Sequence, residues 1–275
     1  MQSSPFSARN ARVLAPVVLG FVVLVLWQLA SWAGLVAEQF LPSPLHLAAR
    51  FWRELTVGPL LPYAGTTLLE AVVGSLIAVL VAVPLGYLVA RVPLVDTAAS
   101  PYIAASQAIP AIAVAPLLVL WIGYGLAPIA ILCAITAFFP MLITTVLGVR
   151  QLPDDVLEAA RLDGANTWQT LWWVETPLAL PSVLAGIRAG VTLSITGAVV
   201  GEFTMGGQGL GMLLTLHRDA NDTEGLFATL LMLIALAVAL FTALRLVELW
   251  LAVRHPRTPL LVPEPDPDPA HGAAS

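Results

Sequence analysis

The sequence predicts an all-α integral membrane protein: six transmembrane helices, with a short polar helical element held on one side of the bilayer. Three observations predict it. Of 275 residues, 59% are hydrophobic and 11% charged, whereas soluble domains carry roughly a quarter charged residues. Uncharged runs reach or exceed spanning length: Val13 to Ala37 is 25 residues, Ala71 to Ala90 is 20, and Thr97 to Val149 is 53. Finally, "EAARLDGANTWQTLWWVETPLALP", residues 158–181, sets charge, helix formers and three tryptophans between two apolar regions.

The first span is read in Val13–Ala37. Arg9 and Arg12 before it imitate a signal peptide, but the apolar stretch exceeds the 7–15 residues of a signal core, so an uncleaved helix is expected. Ala71–Ala90 is the second span, about 30 Å long as a helix. The 53-residue run suits two spans joined at "GYGLAP", Gly123 to Pro128, whose glycines and proline favour a tight turn. The fifth span is expected near Ser182–Phe203 and the sixth from Gly225 to about Leu244. Pro84, Pro110, Pro116 and Pro140 fall inside these spans and are expected to kink them.

All 12 basic residues are arginine, and they are distributed unevenly. Arg9, Arg12, Arg91, Arg150, Arg161, Arg254 and Arg257 gather on one side, Arg50, Arg53 and Arg218 on the other. The positive-inside rule puts the richer side, with both termini and the polar insert, in the cytoplasm. Residues 1–12 are then a cytoplasmic arm. Residues 13–251 form the six-span domain, with the cytoplasmic insert at 150–177. Residues 252–275, acidic and proline-rich, form a disordered cytoplasmic tail. No domain-length repeat is found, although secondary transporters commonly carry one. Six spans without a repeat imply half of a pore, completed by a second chain.

The insert reads as helix, turn, helix. Pro153, Asp154 and Asp155 suit a helix start, and Glu158, Ala159, Ala160, Arg161 and Leu162 continue it. Gly164 is placed to end it in a left-handed conformation. Asn166 or Thr167 caps a second helix from Trp168 to about Glu175, which Pro177 ends. Trp168, Leu171 and Trp172 share one face of it. That face either rests in the lipid headgroups as an aromatic belt or covers another protein.

Along the fifth span, Gly186, Gly190, Ser194, Ala198 and Glu202 recur every fourth residue. Small residues at this spacing let helices approach closely. Two readings stay open: a tight contact within the chain, or a wall of a translocation pathway between two subunits with Glu202 acting in outer gating. Arg188 is read as snorkelling to the headgroups, and Arg245 and Glu248 as an i, i+3 pair. "GGQGLG", Gly206 to Gly211, lacks the GxxxxGK[ST] and GxGxxG patterns, so it is read as an outer loop or re-entrant element. Cys133 lies in an apolar run as a core residue, and the four histidines lack metal-ligand spacing.

The insert resembles the EAA loop of bacterial ABC import permeases. Glu158-Ala159-Ala160, three residues, Gly164, nine residues, then Val174-Glu175-Thr176-Pro177 matches EAA, three, Gly, nine, Ile-x-Leu-Pro. Val174 and Thr176 replace Ile and Leu. "AIPAIAVAPLLVLWIGYG", "FFPMLITTVLGV", "ALPSVLAGIRAG" and "GAVVGEF…GGQGLGMLL" look like the subfamily importing nitrate, taurine, alkanesulfonates and related solutes, with pyrimidine precursors of thiamine among the substrates of similar permeases.

The resemblance implies a type I importer permease without a catalytic site. Its EAA segment docks on a cytoplasmic ATPase, and that partner rather than this chain binds ATP and Mg. An extracytoplasmic binding protein delivers the solute, and a second permease subunit completes the pore. It also implies ATPase coupling for Glu158, Ala159, Ala160, Gly164, Trp168, Leu171, Trp172, Val174 and Pro177. No metal and no nucleic-acid partner is expected. The competing classes are an ion-coupled secondary transporter, with Glu70, Glu202 and Glu248 as its candidate acids, and an intramembrane enzyme. Neither explains the Glu158–Pro177 spacing.

Overall fold

The computed structural model describes residues 5–34, 37–106, 108 and 110–254, and its regular elements are all helices. In order they are α1 (Pro5–Trp32), α2 (Pro44–Thr56), α3 (Leu60–Arg91), α4 (Pro93–Ser106), α5 (Ala111–Ile122), α6 (Leu126–Arg150), α7 (Asp154–Leu162), α8 (Thr167–Gln169), a π turn (Thr170–Glu175), α9 (Thr176–Met205), α10 (Leu210–Asp219) and α11 (Thr223–Arg254).

The centre is a three-helix stack of α3, α6 and α9, and small residues make it possible. At Gly190 of α9, an added Cβ would lie 2.6 Å from Met141 Cε and 2.7 Å from the Ala137 carbonyl oxygen of α6. Two apolar clusters fill the stack. Ala78, Ala82, Ala137, Met141, Leu142 and Val191 form one. Ala115, Leu118, Ile129, Leu132, Cys133 and Ala198 form the other, with Cys133 buried as expected. A third cluster, Leu60, Ala64, Leu210 and Leu213, draws α10 onto the start of α3.

The expected span count meets a difference here. Among the described residues, four helical stretches are long and apolar enough to cross a bilayer: Leu60–Arg91, Leu126–Arg150, Thr167–Met205 and Thr223–Trp250. The apolar part of α1, Val18–Trp32, is shorter. The expected third span is two helices, α4 and α5, rather than one. Pro110 explains the break: it caps the start of α5 with φ −65° and ψ 127°, where a proline inside a helix would remove a bond and clash with the preceding turn. It therefore separates two helices instead of kinking one, whereas Pro84, Pro116 and Pro140 do lie inside α3, α5 and α6. The turn at "GYGLAP" is present, with φ of 93° at Gly123 and 118° at Gly125.

Two further boundaries move. The helix at the expected sixth span runs on to Arg254, ten residues beyond Leu244, and its apolar stretch ends at Trp250. The N-terminal arm is already helical from Pro5. The tail from 255 to 275, expected to be disordered, lies outside the described residues, as do residues 1–4 of the arm.

Candidate functional site

The insert is seated by an apolar cluster. Val149, Leu152, Leu157 and Ala179 are buried together, with Tyr87, Ala90, Val174 and Val183 packed around them. This binds α7 to the ends of α3 and α9. Beside it, Arg150 reaches Asp96 at 2.7 Å. Ser100 Oγ donates to the same carboxylate oxygen at 3.0 Å.

Helix α7 starts after Pro153 with Asp154 and Asp155 in its first turn, where carboxylates meet the positive end of the helix dipole. It ends at Gly164, which adopts φ +83°. Gly164 N–H donates to the Arg161 carbonyl and Ala165 N–H to the Ala160 carbonyl, both at 3.0 Å. Those are the two bonds of a Schellman C-cap. Asn166 then caps the second helix: its side chain accepts from Gln169 N–H at 2.9 Å, and Gln169 Oε1 accepts from Asn166 N–H at 2.8 Å. This reciprocal pair is a capping box, and it chooses Asn166 over Thr167.

Pro177 does not end this helix, contrary to the sequence expectation. The chain continues from α8 through the π turn into α9, and the Leu171 carbonyl accepts from Thr176 N–H five residues on. The expectation rested on proline disfavouring helical geometry in the residue before it, yet Thr176 is helical, with φ −60° and ψ −49°. Here Pro177 stands at the start of α9, in the first turn after the π register. The first-turn N–H groups of a helix are the ones that lack an α-type partner, so proline is tolerated there.

The resulting surface is exposed. Trp168, Trp172 and Trp173 are 69%, 61% and 81% accessible, and they line an open concavity of about 510 Å³ with Asn166 and Gln169. Glu158, Ala159 and Gly164 are exposed, Ala160 and Val174 half-buried. Leu171 is half-buried too, so it turns partly away from the two tryptophans with which it was expected to share a face.

Farther along α9 lies the face expected either to pack within the chain or to wall a pathway. Gly186, Gly190, Ser194, Ala198 and Glu202 are all buried within this chain. Ser194 accepts a hydrogen bond from Ser75 of α3 at 2.9 Å. Glu202, with no exposed surface, sits in a polar clasp. Leu210 N–H donates to Thr67 Oγ1 at 2.8 Å, and Thr67 donates to Glu202 Oε1 at 2.7 Å. Gly211 N–H donates to the other carboxylate oxygen. "GGQGLG" folds around this carboxylate: an added Cβ at Gly209 would lie 2.2 Å from Glu202 Cδ. Glu70 of α3 is a second buried acid, and its Oε2 has no hydrogen-bond partner among the described residues. In this structure all five residues pack within the single chain.

Other partners differ from expectation. Arg188 pairs with Glu248 at 2.6 Å and lies 5.1 Å from the Phe241 ring centroid, joining α9 to α11. It does not simply snorkel, and Glu248 meets Arg188 rather than Arg245. Sequence reasoning gave no role to Thr67, Tyr87 or Glu175. For Glu175 a signal existed: a carboxylate on the membrane side of the insert, next to a proline and an apolar helix, needs a partner.

A family described as "Binding-protein-dependent transport system inner membrane component" matches residues 82–253. The riboflavin transport system permease protein of Chloroflexus aurantiacus is 42% identical over 233 residues, covering 85% of this chain and 87% of that protein. The formylaminopyrimidine transport permease protein of Halalkalibacterium halodurans is 29% identical, covering 87% and 95%. The taurine transport system permease protein of Escherichia coli is 27% identical, covering 82% and 84%. Among solved structures, a chain of the inward-facing MetNI methionine ABC transporter superposes with TM-score 0.63 at 18% identity, covering 70% of this chain and 96% of that one.

Proposed function

Because the chain belongs to the family of binding-protein-dependent transport inner membrane components, an ABC transporter permease family, we propose that it is the permease subunit of an ATP-driven importer of a small solute. The observation that carries the mechanism is the insert. A helix-turn-helix with both internal helix ends capped presents three exposed tryptophans that nothing among the described residues covers. Large exposed aromatics on a rigid support are what a protein partner buries.

In this reading Glu158, Ala159, Ala160, Gly164, Trp168 and Trp172 meet a cytoplasmic ATPase that holds ATP and Mg. Leu171 and Val174, half-buried, shape the element from behind, and the exposed Pro177 opens α9 beside it. A binding protein delivers solute to the opposite face, and a second copy of this chain completes the pore. Both termini lie in the cytoplasm and six segments cross or enter the inner membrane, α4 and α5 together making the third.

The small face of α9 holds the subunit together, and Glu202 meets the "GGQGLG" backbone rather than solute. Its enclosure also weighs against an ion-coupled transporter, in which the acids must exchange ions with the pathway. For the solute, 42% identity to a riboflavin permease and 29% to a formylaminopyrimidine permease weigh toward a nitrogen heterocycle, ahead of a sulfonate such as taurine.

The test is purification of the tagged permease from cells expressing its whole gene cluster. An ATPase should co-purify, and uptake should favour riboflavin or the pyrimidine over taurine. A cysteine at Asp163 in a Cys133→Ala background should be labelled only from the cytoplasm, and one at Asn221 only from outside. Purification free of any ATPase, or inverted labelling, would sink the proposal.

A further inference from the structure

A regular α-helix would place Glu175 on the same face as Trp168 and Trp172, at i+7 and i+3. The structure does otherwise: Glu175 is 7% accessible, while the two tryptophans are 69% and 61%. The π turn Thr170–Glu175 makes the difference. One extra residue in a turn rotates the rest of the helix by about 100°, the angle one residue occupies in a 3.6-residue helix. Outward tryptophans are thereby succeeded by an inward carboxylate.

That carboxylate meets two groups from the end of α3. Tyr87 donates to Glu175 Oε2 at 2.5 Å, and the Arg91 guanidinium lies 2.6 Å from Oε1. Tyr87 and Ala90 also belong to the apolar packing that seats α7. The insert is therefore tied to α3 by a buried polar joint and an apolar seat, as well as running covalently into α9. A buried carboxylate is stable only when its partners stay in place, and losing one is strongly unfavourable. Movement of the insert away from α3 is resisted accordingly.

We infer that Glu175 is a positioning residue that couples the insert to α3, so that displacement of the docking surface moves α3 and α9 together. This rests on the importer reading above. It adds that α3 receives the displacement directly, through Tyr87 and Arg91, at a position outside the exposed docking face.

The test uses the full complex, permease with its ATPase and binding protein, reconstituted in liposomes. Uptake of riboflavin, the pyrimidine or taurine, whichever the wild type transports, is divided by ATP hydrolysed. Glu175→Ala is expected to lower that ratio about tenfold while the ATPase still co-purifies, because the tryptophan face is intact. Glu175→Gln keeps the shape and an oxygen for Tyr87 but loses the charge facing Arg91. It is expected to fall between the two, and it decides the matter if the alanine variant does not reach the membrane. A role in folding alone would reduce yield and leave uptake per ATP unchanged in whatever assembles. An unchanged ratio in both variants would overturn the inference.

A second measurement needs no ATPase. A spin label at Asp163→Cys, in a Cys133→Ala background, should move faster when Glu175 is replaced by Ala or Gln. An unchanged spectrum in both also overturns the joint. If wild-type permease never binds an ATPase, the importer reading fails, and the label alone reports whether Glu175 holds the insert to α3.

Discussion

At one end of the Thr167–Met205 helix, the Glu202 carboxylate has no exposed surface and meets Thr67 and Gly211 N–H inside the chain. At the other end Trp168 and Trp172 stand more than half exposed, although the backbone beneath them is fully capped. The difference separates two kinds of special residue. A buried polar group with its bonds satisfied has its task inside the subunit, since an unmet bond in an apolar interior is costly. An exposed aromatic on a rigid element has its task outside. Both ends carried candidate functional residues in the sequence, and burial separates them in this structure.

The largest expected effect strikes the closed end. Gly190→Leu must displace the Ala137 backbone or Met141, a cost of about 3 kcal/mol or more for forced overpacking. Little folded permease should reach the membrane, as read by yield and size-exclusion profile. Normal yield would mean that α9 and α6 are not packed as described, and the pathway reading of that face would return.

Glu202→Leu comes next. Thr67 can still donate to the Tyr63 carbonyl, 3.2 Å away, but Gly211 N–H is left without its acceptor, costing roughly 1–3 kcal/mol. The melting temperature should fall by several degrees, at about 2–4 °C per kcal/mol for a chain of this size. A variant that melts like the wild type but alters solute selectivity would overturn the clasp and favour contact with solute.

Gly164→Val probes the open end. An added Cβ there meets nothing within 4 Å, so the cost is conformational, roughly 1–2 kcal/mol for a left-handed residue. Membrane levels should stay near normal while ATPase co-purification drops, with alanine milder than valine. Assembly and transport at wild-type levels would remove the turn from the coupling mechanism.

The smallest stability effect is expected at Trp172→Ala, within about 0.5 kcal/mol because the side chain is mostly exposed. Binding to the ATPase should nevertheless weaken by roughly 2 kcal/mol, the scale of an interface hot spot. A clear drop in the melting temperature of the isolated permease would show that the chain itself uses this tryptophan, and the contrast between the two ends would lose half its basis.

The helix-turn-helix insert was legible because its signals are local. Acids in a first turn, a glycine for positive φ and an Asn or Thr cap act within a few residues, so Asp154 to Thr167 reads almost directly from the chain; the structure chose Asn166 and added its partner Gln169. The central helices were legible for a similar reason: long uncharged runs in α3, α6, α9 and α11 require burial in lipid or protein wherever they lie.

Tertiary structure decided what depends on partners far along the chain. Thr67 meets Glu202 across 135 residues, Tyr87 meets Glu175 across 88, and Arg188 meets Glu248 across 60. No periodicity records such distances. The π turn is of the same kind: nothing in "TLWWVE" demands an extra residue in the turn, but the register it produces satisfies Glu175 against α3 while leaving the tryptophans outside. By itself the sequence determined which segments avoid water and where the backbone turns, because solvation and φ preferences belong to single residues and short runs. Which polar groups close the bundle and which are left for a partner was decided only by packing, because a carboxylate's role depends on what lies within about 3 Å of it.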